Sequence, residues 1–507
     1  MFIRVACGAV LGVDGYIVDV EVDLASGLPA FDIVGLPDSA VKESRERVRA
    51  AIRNAGYTFP IKRITVNLAP ADIRKSGPAF DLPIALGILI CAGILKPDVV
   101  KNAFFAGELS LDGGLRSVNG VLPMVLAAKA HGIRDVFVPQ ENANEAALVG
   151  EVNVYPIQNL TALVSHFSNK PVRALNINIQ ELFNAEKDTY DADFADVVGQ
   201  VHVKRALEVA AAGYHNALMI GPPGSGKTML ARRMPTILPD LSLEESMEIT
   251  KIYSIAGLLT QKNLLLSHRP FRTPHHTASH ISLAGGGRTP APGEISLAHN
   301  GVLFLDELPE FQKKALETMR QPLEDGHITI TRIGGVCSYP SVFLLLATMN
   351  PCPCGYLGTG NCKCTDAEVA RYVDKISGPL LDRIDIQVES SSVKYVELSN
   401  GGQKAESSAV VKERVENARA RQLARFKNDG IYFNAKMPAS IIEKYCKLGD
   451  AAQEMLRMVF DNLALSARAY HKILKVARSI ADLADEPNIL EEHIAEAISY
   501  RGLDRKY

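Results

Sequence analysis

The sequence predicts an α/β fold, and three observations carry that prediction. An apolar run, Ala217-Leu218-Met219-Ile220, leads into Gly221-Pro222-Pro223-Gly224-Ser225-Gly226-Lys227-Thr228 and then into helix-forming residues from Met229 to Met234. Two further apolar runs, 301–307 and 344–350, end in polar residues and read as buried strands. Near the N-terminus, Ile17-Val18-Asp19-Val20-Glu21-Val22 alternates with period two, the pattern of a half-buried strand.

Taken in order, the elements divide the 507 residues into four stretches. Residues 1–165 mix strands and helices: the strand at 17–22, a charged surface helix from Ser39 to Ala55, a strand Ile64-Thr65-Val66-Asn67-Leu68, a helix from Val121 to His131, and a strand Val136-Phe137-Val138. The run from Leu82 to Leu95 is too short to span a bilayer and reads as a buried helix, with Asp81 as N-cap and Pro83 in the first turn. Residues 166–190 weaken into a polar connector. Residues 191–390 form a second α/β unit. Residues 391–507 open with a Ser- and Gly-rich loop or hinge, up to Ser408, and continue as helices.

Composition narrows the class. The length suits about three domains of roughly 150 residues. Hydrophobic content of 47% with 22% charged residues is that of a soluble globular chain. A net charge of −2 gives no global basic field, although a locally basic channel is compatible with it. Met1 to Val20 reads as alternating strand rather than as a signal peptide. A cytoplasmic location with no membrane partner is therefore expected, and there cysteines are thiols or metal ligands.

Residues 221–228 fit G-x-x-x-x-G-K-[ST], the phosphate-binding loop of P-loop NTPases, in the strand–loop–helix context the loop needs. Its glycines let backbone N–H groups converge on phosphate oxygens, and the helix N-terminus adds a favourable dipole. Lys227 would reach the β- and γ-phosphates, and the Thr228 hydroxyl would ligate Mg²⁺. Gly301-Val302-Leu303-Phe304-Leu305-Asp306-Glu307 is an apolar strand tipped by two acids, which is costly without a cation. Asp306 would hold Mg²⁺ and Glu307 would polarise the attacking water. Asn350 ends the third run; it either orients that water or serves as a turn residue before Pro351.

Four of the eight cysteines, Cys352, Cys354, Cys362 and Cys364, fall in one Pro- and Gly-rich loop. Four thiolates there suit tetrahedral Zn²⁺, although C-x-C-x₇-C-x-C departs from the usual spacing; reduced thiols or a redox-sensitive cluster are the alternative. Cys7, Cys91, Cys337 and Cys446 read as packing residues.

With Asp196-Val197-Val198-Gly199-Gln200 ahead of the loop, the arrangement resembles an AAA+ ATPase, which implies ATP as the nucleotide and Val198 and Gly199 among its contacts. Ser377-Gly378-Pro379-Leu380-Leu381-Asp382-Arg383-Ile384-Asp385 resembles the arginine-finger segment of the magnesium-chelatase branch. That resemblance implies that Arg383 acts on a neighbouring subunit's nucleotide; the plainer alternative is an ion pair with Asp382 or Asp385. Leu465-Ser466-Ala467-Arg468-Ala469 resembles sensor 2, with Arg468 reaching the γ-phosphate.

The insert from Phe271 to Asn300 and a β-hairpin (His327 to Arg332, then Val336 onward) occupy the places of pore elements in related helicases. Arg288 and Arg332 are then candidates for contact with DNA phosphates, against the alternative of ordinary solvated arginines. His275 and His276 read as structural rather than as metal ligands. Residues 67–86 and 107–139 resemble the Lon-protease catalytic domain, but Ala79 and Leu122 stand where its serine and lysine would be. A Lon-like fold without peptidase chemistry follows from that resemblance.

Together these features resemble the bacterial YifB/ComM family across nearly the whole chain. The implied fold is an AAA+ P-loop NTPase module with a Lon-protease-like, S5-like α+β N-terminal domain and a C-terminal helical lid. The implied function is an ATP- and Mg²⁺-dependent homo-hexameric motor on branched or single-stranded DNA, moving branch points during natural transformation. A chelatase motor subunit and a protein-remodelling ATPase are the alternatives.

Overall fold

Two separate sheets, each with its own helices, organise the computed structural model, which describes residues 1–168, 170–185, 192–287, 290–332, 335–358, 361–391, 406–463 and 466–501. The N-terminal sheet has seven strands, in the spatial order Ala30–Val34, Arg63–Ala69, Asp14–Ala25, Phe2–Leu11, Ala103–Phe105, Asp135–Pro139 and Asn153–Ile157. Phe2–Leu11 and Asp14–Ala25 pair antiparallel with Val5 opposite Val20, so that Val18, Val20 and Val22 share the buried face. The helices Ser39–Asn54, Asp81–Cys91 and Val121–Ala130 fall where the hydrophobic patterns place them.

Asp81 corrects one expectation. Phe80 holds the N-cap position, and Asp81 is the first helical residue. Its fully buried carboxylate accepts hydrogen bonds from Arg47 Nε at 2.7 Å and from the Leu109 N–H at 3.2 Å. A buried acid needs a cationic partner more than a helix needs a cap. The stretch read as a polar connector is also corrected. It contains the helix Ile179–Ala185, Phe183 is part of the N-terminal core, and the Leu175 N–H donates to the Val154 carbonyl at 2.7 Å.

The second sheet is wholly parallel, in the order Phe271–Arg272, Val302–Leu305, Leu344–Met349, Ala217–Ile220 and Ile386–Glu389. Its central strands are buried on both faces, which is why they read as unbroken apolar runs. One face packs on the helices Val201–Gly213 and Lys227–Ile237, and the helices Ser408–Arg425 and Ala467–Leu483 pack in turn on Val201–Gly213. The other packs on a layer that includes the antiparallel hairpin His327–Arg332 and Gly335–Pro340. The second hairpin strand begins at Gly335, one residue before the expected Val336. Most of the expected 390–408 hinge lies outside the described residues.

One connection was not anticipated. After the helix Lys227–Ile237 the chain leaves the second sheet, and Leu241, Ile249 and Leu265 insert into the N-terminal core. Ser254 Oγ donates to the buried Glu145 carboxylate at 2.5 Å, and the Gly120 N–H donates to the Ser254 carbonyl at 3.1 Å. Desolvation pushes the Glu145 carboxyl above its usual range. Among the described residues, no helix is long and apolar enough to cross a membrane.

Candidate active site

Parallel strands deliver their C-terminal ends to one edge of a sheet, where ligands of open α/β folds sit. Here Ala217–Ile220, Val302–Leu305 and Leu344–Met349 deliver the phosphate-binding loop, Asp306-Glu307 and Asn350 to the same edge. Gly224 and Gly226 have φ of +76° and +84°, backbone that favours glycine. Gly221 is required for space, since a Cβ there would lie 2.0 Å from Ser390 Oγ.

Lys227 is 9% exposed. Its ammonium donates to the Gly221 and Pro222 carbonyls at 2.7 and 2.8 Å, and Asn350 Oδ1 lies 3.5 Å away. Burial holds the Lys227 pKa below its ordinary value, opposed by the charges of Asp306 and Glu307. Thr228 Oγ1 donates to Asp306 Oδ2 at 2.9 Å. A hydroxyl and a carboxylate in contact at a helix N-terminus are a hard-oxygen pair that fits Mg²⁺. The loop, Lys227 and that pair together fit a nucleoside triphosphate with its metal.

Several supporting residues went unrecognised in the sequence. Thr348 Oγ1 donates to Asp306 and also accepts the Glu307 N–H at 3.2 Å, so one hydroxyl fixes both acids. Thr348 precedes Asn350 by two on one strand, and period two would have flagged it. Gln200 Nε2 donates to the Ser225 carbonyl at 3.2 Å, and Ser390 Oγ meets Ser225 Oγ at 2.8 Å. Glu307 has φ of +55°, a sparsely populated region for a non-glycine residue. His276 Nδ1 lies 3.8 Å from its carboxylate, and the rings of His275 and His276 are 4.1 Å apart.

The remaining candidates fall elsewhere. Val198 is exposed, and Gly199, at φ +68°, turns the chain into Gln200 beside the loop. Arg383 lies three residues before the first residue of the Ile386–Glu389 strand, at the edge opposite the loop: its carbonyl accepts Asn216 Nδ2 at 2.9 Å, and Asn216 precedes Ala217–Ile220. A four-residue strand at about 3.3 Å per residue separates Arg383 from its own loop by about 13 Å. The guanidinium pairs with Glu324 rather than with Asp382 or Asp385, and its Nε is buried without a partner. Arg468 is exposed on the first turn of Ala467–Leu483, and no hydrogen bond or ion pair joins it to the loop among the described residues. Arg332 ends the first hairpin strand, and its side chain lies outside the described residues, as does Arg288 entirely.

Asp385 does pair, but inward. It lies 3.0 Å from His215 Nδ1 and 3.2 Å from Lys472 Nζ. Burial alone would raise its pKa; Lys472 and His215 outweigh this and hold it well below the usual carboxylate range. The four clustered cysteines have their Sγ atoms within 4.8 Å of one another. Cys7, Cys337 and Cys446 are buried and Cys91 half-buried.

Comparison with known proteins agrees with this geometry. Residues 193–398 match the family model described as magnesium chelatase, subunit ChlI; residues 20–142 match subunit ChlI of Mg-chelatase; residues 405–501 match the ChlI C-terminal model. The competence protein ComM of Haemophilus influenzae is 45% identical over 505 residues, covering 98% of this chain and 97% of that one. The uncharacterized protein YifB of Salmonella typhimurium is 43% identical over 497 residues, covering 98% and 96%. The Lon protease of Solibacter usitatus is 26% identical over 140 residues, covering 26% of this chain and 17% of that one.

Proposed function

The chain belongs to the YifB/ComM family of magnesium-chelatase-like AAA+ ATPases, and from that premise we propose that it is an ATP-driven homo-hexameric DNA motor. It acts on branched recombination intermediates and promotes integration of incoming DNA. The observation that carries the ring is the position of Arg383, at the sheet edge away from its own phosphate-binding loop. A cationic side chain there serves a nucleotide only across a subunit boundary, where it stabilises transition-state charge in trans. The DNA reading rests on full-length similarity to a competence protein and on the hairpin 327–340, a counterpart of the pore elements of related helicases.

In this reading, Lys227 and the loop N–H groups hold the phosphates. Thr228 and Asp306 would hold Mg²⁺, which supplies charge neutralisation at the β- and γ-oxygens. Glu307 takes the proton of the attacking water, and Asn350 positions that water. Val198 and Gly199 flank the base, Arg468 closes from the lid, and Arg288 and Arg332 contact phosphates of DNA.

The test is strand exchange on a labelled three-strand branched DNA with ATP and Mg²⁺, beside Lys227→Ala. Resolution by the wild type alone is the expected result. No resolution, with ATPase unmoved by DNA, would leave a chelatase-type or protein-remodelling motor, the reading that the ChlI matches favour.

A further inference from the structure

We propose that Cys352, Cys354, Cys362 and Cys364 bind one zinc ion, and that this ion clamps the tip of the Leu344–Met349 strand against the phosphate-binding loop. The sulfur geometry is the first support. Cys352 and Cys354 are 3.4 Å apart, Cys352 and Cys362 3.9 Å, and Cys354 and Cys362 3.7 Å. Tetrahedral zinc with bonds of about 2.3 Å places its sulfurs about 3.8 Å apart. These separations are far beyond a disulfide bond of about 2.05 Å. An all-sulfur set selects a thiophilic ion over Mg²⁺.

The loop is the second support. Residues 351–364 contain no helix or strand among those described. A long loop without secondary structure of its own needs another source of order. Its entry is Asn350, and its exit is Thr365, which caps the helix Asp366–Val373. Tyr372 on that helix hydrogen-bonds back to the Asn350 backbone.

Contact with the active site is the third. A Cβ on Gly355 would lie 2.6 Å from Pro223 Cδ and 3.9 Å from Asn350 Cγ. The turn held by Cys352 and Cys354 therefore presses directly on the phosphate-binding loop and on the residue facing Lys227. Zinc would set the distance between these two parts of the site. This second half of the proposal rests on the nucleotide reading given above.

The experiment uses the full chain. Metal content is measured by mass spectrometry for wild type, Lys227→Ala and the double variant Cys362→Ser/Cys364→Ser. Cobalt replacement and ATP turnover are followed in parallel. One zinc per chain is expected in the first two and almost none in the third, with thiolate-to-cobalt bands in the wild type. Turnover in the double variant should fall about 10- to 100-fold, as expected for a displaced catalytic group. Chelator-stripped wild type with its circular dichroism intact should lose turnover and regain it with zinc but not with magnesium alone. A wild type that takes up neither zinc nor cobalt overturns the site. A stripped protein that hydrolyses ATP at the full rate overturns the clamp. Full turnover in Lys227→Ala with zinc retained would instead overturn the nucleotide reading and leave the metal site standing.

Discussion

Thr348 shows how little of an active site has to be chemically conspicuous. Its hydroxyl joins Asp306 to the Glu307 backbone, so both acids depend on one neutral side chain. Thr348→Val should cut ATP turnover about tenfold while nucleotide binding persists, the size expected when one orienting hydrogen bond is lost. Glu307→Gln should reduce turnover by about 10²-fold or more, because on the proposed reading it removes the base and keeps the shape. Equilibrium binding of a fluorescent ATP analogue beside steady-state hydrolysis checks both. Asp385 makes a different kind of prediction. Its folded pKa is depressed, so its ionised form contributes stability above the ordinary Asp value of about 4, and that contribution is lost as pH falls below it toward the folded value. Asp385→Asn should destabilise the ATPase body by about 3–5 kcal/mol near neutral pH, since Lys472 and His215 stay buried without their acid. Thermal melts from neutral pH down to pH 3 should show the gap narrowing; a gap that widens with acid would contradict the pairing.

The elements that carry the site were legible because their patterns are local. Buried parallel strands must be apolar throughout, and a phosphate-binding turn must contain glycine, so both leave marks in a few consecutive residues. Gly221 is the strictest of these positions. Gly221→Ala should abolish nucleotide binding, because the added methyl would meet Ser390 Oγ and its carbonyl at 2.0 and 2.4 Å; calorimetric titration with ATP reads this directly. What a pattern does not carry is the partner of a charged side chain. Asp81 resembled a helix cap and instead pairs with Arg47, and the acid that holds Arg383 lies 59 residues away at Glu324. The expected polar connector failed for the same reason. Ile179–Ala185 is short and mixed in composition, and packing of Phe183 into the N-terminal core adds to the local cap that Asn178 gives its first turn.

At the scale of the whole molecule, the role proposed for Arg383 predicts a catalytic unit built from a pair of subunits. Mixing Lys227→Ala with Arg383→Ala should therefore restore ATP turnover that each lacks alone, since mixed interfaces join an intact loop to an intact arginine. Turnover that stays at background in mixtures shown by mass photometry to share one ring would refute catalysis in trans. The N-terminal domain is packed against the segment that follows the helix Lys227–Ile237, through Leu241, Ile249 and Leu265 and through Ser254 on Glu145. By itself the sequence determined the α/β class, the helical character of the C-terminal stretch, and the residues at the tips of the central strands. Each of these is written in short-range periodicity or in a compact motif. Only the tertiary structure decided which side chains meet: Thr348 with Asp306, Gly355 against Pro223, Arg383 with Glu324, and an ATPase segment buried in the N-terminal core. Those contacts join residues far apart along the chain, and they are fixed by burial and charge pairing once the sheets have formed.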